Sequence, residues 1–327
     1  MESLPGCFFP TEVVFIDDSE IYLQTLTLFC ESHLKHLKIK TFSKPQEALE
    51  YVASKPKPCF EQFFQAQDTF CSNCYAMKLN VFSLHKMIYD PKRFSQISVI
   101  LADYNLGPNE MNGVEFCKAI HEKNIQKILF TAETDRSFVI KAFNDDYIQK
   151  YVSKQEVGSL EKVINLICQA QERYFFENTK SIQIALKENP AFPLAIYSET
   201  FQTYFRNFVE KNNIREYYLL DAVGSYLMID NENRIKILFV QNEDQCRANY
   251  LEQKEEVDSE LCAKLEVGEM VYCNTSFWTQ ENKKTNSLFV PADCIQDAQS
   301  GAKFYCACLQ NVDFIDVSKI ALETNIA

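Results

Sequence analysis

The sequence predicts an α/β chain in two parts: a doubly wound parallel sheet of five strands, then a long helix, then an α+β unit with an antiparallel sheet. Short apolar runs end abruptly on polar residues, as in Glu12-Val13-Val14-Phe15-Ile16-Asp17-Asp18, which is how buried parallel strands read. Segments with helical spacing separate these runs, and a strand-helix alternation implies a parallel sheet covered on both faces. Beyond Pro190 the pattern changes to strands joined by tight turns. The 327 residues suit two domains at roughly 150 residues each.

In the first part, the strand ending at Ile16 is followed by residues 19–35, with Ile21, Leu23, Leu26, Leu28 and Phe29 at helical spacing. A second strand is expected near Ile39-Lys40-Thr41-Phe42. Ser43-Lys44-Pro45 opens the next helix, with proline in the first turn, where its missing N–H has no helical partner to lose. Strands recur at Ser98-Val99-Ile100-Leu101-Ala102, Lys127-Ile128-Leu129-Phe130 and Tyr151-Val152-Ser153, separated by helical patterns over 113–123 and 135–146. Residues 53–96 interrupt this rhythm where a compact α/β unit needs only a short loop. The stretch is rich in aromatics and carries Cys71-Ser72-Asn73-Cys74, so a packed excursion is expected.

From Ser159 to about Lys187 the helical pattern is unbroken, with Leu160, Val163, Ile164, Ile167, Ala170 and Tyr174 on one stripe, and it stops at Asn189-Pro190. The expected division is a first domain over 10–157, a linker helix over 158–190 and a second domain over 191–327. In the second, a helix around 197–212 precedes a three-strand meander through Tyr217-Tyr218-Leu219-Leu220, Tyr226-Leu227-Met228-Ile229 and Ile235-Lys236-Ile237-Leu238-Phe239-Val240. Polar helices over about 242–266 and strands near 269–273, 287–290 and 303–309 complete it.

Composition excludes several functions. With 46% apolar and 24% charged residues the chain is globular, and its net charge of −12 argues against a general affinity for nucleic-acid phosphates or anionic membranes. No apolar run approaches the roughly 20 residues that span a bilayer, and the opening Met1-Glu2-Ser3-Leu4-Pro5-Gly6 lacks a basic leader, so a cytoplasmic location is expected. Thirteen cysteines, an odd number scattered through apolar runs, read as reduced, buried thiols rather than a disulfide framework.

Ligands of an open parallel sheet bind beyond the carboxyl ends of its strands. That edge receives Asp17 and Asp18 from the first strand, Asp103 from the third, Thr131 from the fourth and Lys154 from the fifth. Three gathered carboxylates repel one another and call for a cation, and an all-oxygen donor set with high charge favours Mg²⁺. A hydroxyl and an ammonium beside them suit a phosphoryl group carried on a carboxylate, so the chemistry suggested is aspartyl-phosphate formation.

These residues resemble a known family, the receiver domains of bacterial two-component response regulators. The likeness rests on Val14-Phe15-Ile16-Asp17-Asp18, Val99-Ile100-Leu101-Ala102-Asp103-Tyr104-Asn105, Met111-Asn112-Gly113-Val114-Glu115-Phe116, Leu129-Phe130-Thr131-Ala132-Glu133 and Tyr151-Val152-Ser153-Lys154, in that order over about residues 10–157. The resemblance implies a flavodoxin-like fold, with Asp103 as phosphoacceptor. It assigns Asp17, Asp18, Asp103 and the backbone carbonyl of Asn105 to the metal, Thr131 and Lys154 to the phosphoryl oxygens, and Tyr151 to a rotamer switch coupled to Thr131. It also implies a sensor histidine kinase or phosphotransfer protein as partner. Three departures stand out: a loop at Leu106-Gly107-Pro108-Asn109-Glu110-Met111 longer than usual, Gln155 in place of the usual proline after Lys154, and the 53–96 insertion.

Other motifs carry less. Cys71-x-x-Cys74 with Cys59 and His85 lacks the spacing of a structural zinc site. Glu47-Ala48-Leu49 matches the name of a cyclic-dinucleotide phosphodiesterase family, but sits on a helix where Ala48 and Leu49 are packing residues. All four histidines, His33, His36, His85 and His121, precede the second domain, whose glycines 224, 268 and 301 are isolated. Histidine-assisted nucleophilic catalysis and a phosphate-cradling loop are therefore not expected there. With 12 Lys and Arg against 21 Asp and Glu, that domain does not suit direct DNA binding. Glu252, Glu255, Glu256, Asp258 and Glu260 read as a solvated helical face, and Cys306 and Cys308 as core thiols on one strand face. The expected whole is a response regulator that dimerises on phosphorylation, with an output domain that binds a protein partner. The alternative is an output domain acting as an enzyme or small-ligand sensor, with Asp221 or Asp230 at a pocket mouth.

Overall fold

The computed structural model describes residues 3–34, 37–56, 87–133, 137–187, 194–273, 288–310 and 319–320. Most of the 53–96 insertion, including Cys59, Cys71, Cys74 and His85, lies outside them, as does His36. The chain forms two compact units: Pro10–Pro58 with Pro91–Asn178, and Met1–Phe9 with Cys59–Asp90 and Thr179–Ala327.

The first unit is a five-stranded sheet in the order β3-β2-β4-β5-β6, all parallel, from β2 (Glu12–Ile16), β3 (Lys38–Phe42), β4 (Ile97–Ala102), β5 (Gln126–Thr131) and β6 (Lys150–Ser153). Every residue of β2, β4 and β5 is buried, which accounts for their lack of alternation. The helices α1 (Glu20–His33), α2 (Pro45–Ser54), α3 (Gly113–Ala119), α4 (Ser137–Asn144) and α5 (Ser159–Asn178) connect or follow these strands. Their starts are local. Ser19 caps α1 by accepting from Tyr22 N, Pro45 opens α2, and Asn112 with Glu115 forms a reciprocal capping box at α3.

The continuous helix expected over 158–190 is instead two, α5 and α6 (Lys180–Lys187), separated by a turn at Thr179. The cause is tertiary: the fully buried Thr179 hydroxyl accepts from Gly6 N at 3.0 Å, while Gln183 Nε2 donates to Leu4 O at 3.2 Å. Nor is α5 an overhang. Its Val163, Ile167 and Ala170 share a core with Val13, Phe15, Val99 and Leu101, so it closes one face of the parallel sheet.

The second unit is an antiparallel seven-stranded sheet in the order β1-β7-β8-β9-β12-β11-β10. Its strands are β1 (Cys7–Phe8), β7 (Ile214–Leu219), β8 (Tyr226–Asp230), β9 (Ile235–Asn242), β10 (Met270–Cys273), β11 (Leu288–Gln296) and β12 (Lys303–Gln310). The meander is β7-β8-β9, as its spacing predicts. One face buries Phe201 and Phe205 of α7 (Glu199–Lys211) against Tyr217, Tyr226, Leu238 and Phe304. Two further helices, α8 (Glu243–Gln253) and α9 (Ser259–Val267), precede β10, and the acids expected on a solvated face are exposed. Of the strand thiols, Cys306 is buried and Cys308 only half-buried, and the cysteines of the described residues are all unbridged.

Candidate functional site

Strand order reverses at β2, whose neighbours β3 and β4 lie on opposite sides, so the crevice of this sheet opens beyond the carboxyl ends of β2 and β4. Ile16 and Ala102 are partners in register, which places Asp17 and Asp103 side by side one residue later. Asp103 N donates to Ile16 O at 2.9 Å and so continues the ladder into the site. Carboxylate oxygens of Asp17, Asp18 and Asp103 lie within 4.8 Å of one another, Asp17 and Asp103 buried and Asp18 open to solvent.

Lys154 follows β6, and its N–H donates to Thr131 O at 2.8 Å. Its Nζ pairs with Asp17 Oδ2 and stands 3.0 Å from Asp103 Oδ2. The ammonium also lies 4.3 Å from the Tyr22 ring centre and 6.0 Å from that of Phe130, so two aromatic faces support it. Burial and the charges of Asp17 and Asp103 push the Tyr22 phenol up to about 12. Burial likewise raises Asp17 above the ordinary carboxylate range, against the Lys154 hydrogen bond and the Ser19 N–H, which lower it. An all-carboxylate trio with a desolvated member fits a hard divalent cation, which would relieve both the repulsion and the desolvation.

Thr131, at the end of β5, is fully buried, and its Oγ1 accepts from Glu133 N at 3.1 Å. The Tyr151 hydroxyl donates to Glu133 O at 3.4 Å, so both groups named as switch residues hold the same peptide segment. Asn105 is exposed, two residues beyond Asp103. In the longer loop after it, Gly107 and Asn109 take positive φ of 110° and 66°, and the Lys154–Gln155 peptide is trans.

Sequence reasoning passed over Tyr22 as a support for the ammonium, and over Gly113 as a steric requirement. A Cβ on Gly113 would stand 1.9 Å from the Asp103 carbonyl oxygen, so only glycine admits the approach of α3 to the segment that follows β4. Its place beside the Asn112 cap was the available signal. In the seven-stranded unit, Asp221 and Asp230 serve as turn clasps. Asp221 Oδ1 accepts from the N–H groups of Val223, Gly224 and Ser225, each at 3.0 Å. Asp230 accepts from Glu232 N, Arg234 N and Arg234 Nε.

No protein-family model matches this chain, and no curated protein does. Among solved structures, the response regulator LqsR of Legionella pneumophila is 27% identical with a TM-score of 0.74, covering 97% of this chain and 92% of its own. A signal receiver domain of an HD domain-containing protein from Pseudomonas fluorescens Pf-5 is 18% identical, with a TM-score of 0.36, over 51% of this chain and 91% of its own. A CheY-like response regulator receiver domain protein from Methanospirillum hungatei JF-1 is 14% identical, with a TM-score of 0.35, over 51% and 98%. Only the first likeness is strong enough to argue from. It makes this chain similar to a bacterial response regulator along nearly its whole length, and the parallel sheet has the flavodoxin-like order of a receiver domain. Among the described residues, no helix is long and apolar enough to cross a membrane.

Proposed function

We propose that this chain, similar throughout to a response regulator, is the phosphoacceptor of a two-component phosphorelay, taking a phosphoryl group on Asp103 from a sensor histidine kinase or phosphotransfer protein. The observation that carries this reading is the gathering of Asp17, Asp18 and Asp103 at the sheet's carboxyl edge, with Lys154 Nζ 3.0 Å from the Asp103 carboxylate. A carboxylate oxygen of Asp103 attacks phosphorus, the bond from phosphorus to the donor's imidazole nitrogen breaks, and that electron pair leaves with the imidazole. Lys154, on this reading, pairs with an outer phosphoryl oxygen, a role supported by its contact with Asp103. The Thr131 hydroxyl, on giving up the Glu133 N–H, can donate to another, and Tyr151 follows because its hydroxyl holds the carbonyl of the same residue. Asp17, Asp18, Asp103 and the Asn105 carbonyl would hold Mg²⁺, which when bound neutralises charge developing on the phosphoryl oxygens.

The phosphorylated state dimerises, on this reading, and the second unit meets a protein partner. Its acidic balance and the structural employment of Asp221 and Asp230 support binding over catalysis. The test incubates the full chain with acetyl phosphate, with and without Mg²⁺, and follows intact mass. A gain of one phosphoryl group that needs Mg²⁺ and is lost in Asp103→Asn is expected; equal uptake by Asp103→Asn overturns the assignment.

A further inference from the structure

Tyr104 touches both the phosphoacceptor and a helix. Its backbone N–H donates to Asp103 Oδ1 at 2.7 Å, and its carbonyl accepts from Gly113 N at 2.8 Å. Its ring stacks on Phe138, the second residue of α4, with centroids 3.9 Å apart and planes inclined by 25°. Aromatic pairs usually stand about 4.5–7 Å apart, so this is an unusually close overlap. The rest of α4 is lightly anchored: Val139 and Ala142 are buried, while Ile140 is 61% and Phe143 38% exposed. A short helix with two apolar residues in solvent depends on each remaining contact for its position.

We propose that the Tyr104–Phe138 stack is a lever that carries the chemical state of Asp103 to α4, a positioning role that rests on Asp103 being the phosphoacceptor. A hydrogen bond to a carboxylate is charge-assisted and roughly twice as strong as a neutral one. Phosphoryl transfer to Oδ1 turns that oxygen into a poor ester acceptor. Transfer to Oδ2 removes the carboxylate charge that Oδ1 shares. Either outcome weakens the Tyr104 N–H bond, the backbone at 104 readjusts, and the stacked ring takes Phe138 with it.

The test measures hydrogen exchange of the α4 amides, residues 137–144, in the full chain with and without acetyl phosphate and Mg²⁺, alongside intact mass. Wild type should show an exchange change on phosphorylation. Phe138→Ala should take up the phosphoryl group normally and lose that change. Phe138→Leu, which keeps an apolar side chain without the ring, decides the matter if the alanine variant does not fold. Tyr104→Phe, which preserves the stack, should behave as wild type, and Tyr104→Ala should lose the change. Transmission unaffected in the Phe138 variants, or no α4 response in phosphorylated wild type, overturns the lever. Absence of any phosphoryl gain in wild type overturns the phosphoacceptor reading beneath it, a distinguishable failure.

Discussion

Lys154 lies between two buried carboxylates and on two aromatic rings, so its removal leaves Asp17 and Asp103 facing each other without a counter-charge. Electrostatic contacts of this kind are worth on the order of a hundredfold in rate when they meet charge that develops in the transition state. Lys154→Met is therefore expected to slow phosphoryl uptake by at least about tenfold in a mass time course, with the fold intact by circular dichroism. Gly113 makes a steric prediction. A methyl there must displace the Asp103 carbonyl, so Gly113→Ala should cost about 1–3 kcal/mol, read from the urea midpoint. At this scale the site was legible wherever charge type and strand position sufficed, as for Asp17, Asp103 and Lys154. Tyr22 was not, because a tyrosine at helical spacing looks the same whether it packs or supports a cation.

Helix starts were legible for a physical reason: a cap satisfies N–H groups within three residues, so Asn112 with Glu115 and Asn242 with Gln245 carry their own instructions. The break at Thr179 was not, since its cause lies at Gly6, and neither was β1, whose two residues are too few to show a period. Ser198 illustrates both kinds of information. It caps α7 locally by accepting from Phe201 N, and its hydroxyl donates to the distant Asp297 Oδ1 at 2.6 Å. Ser198→Ala should cost about 1 kcal/mol in urea unfolding. The Ser198 hydrogen bond, with those from Ser300, holds Asp297 below the usual carboxylate range. Its stabilising contribution is thus complete above the unfolded-chain value of about 3.9 and fades as pH falls through the lower folded value. Asp297→Asn should accordingly be less stable than wild type near neutral pH, and the difference in urea midpoint should narrow in acid.

At the scale of the whole molecule, the parallel first half was readable because strands buried on both faces lose alternation, and the antiparallel second half because its meander turns are short. The activity of the second unit was not readable, because among the described residues its acids and thiols serve turns, solvent and core, and no gathered set of metal-ligating groups stands out there. Light scattering of phosphorylated protein at tens of micromolar, an on-the-order concentration for specific association, should show a dimer where unphosphorylated protein is monomeric. An unchanged mass would contradict phosphorylation-linked dimerisation. The phosphoryl-accepting role of Asp103 can be read chemically: reduce the acetyl-phosphate-treated chain with borohydride, which converts an aspartyl phosphate to homoserine, and sequence the peptides by mass spectrometry. Homoserine at position 103 alone is the predicted result; an intact Asp103 with the label at another residue would contradict it.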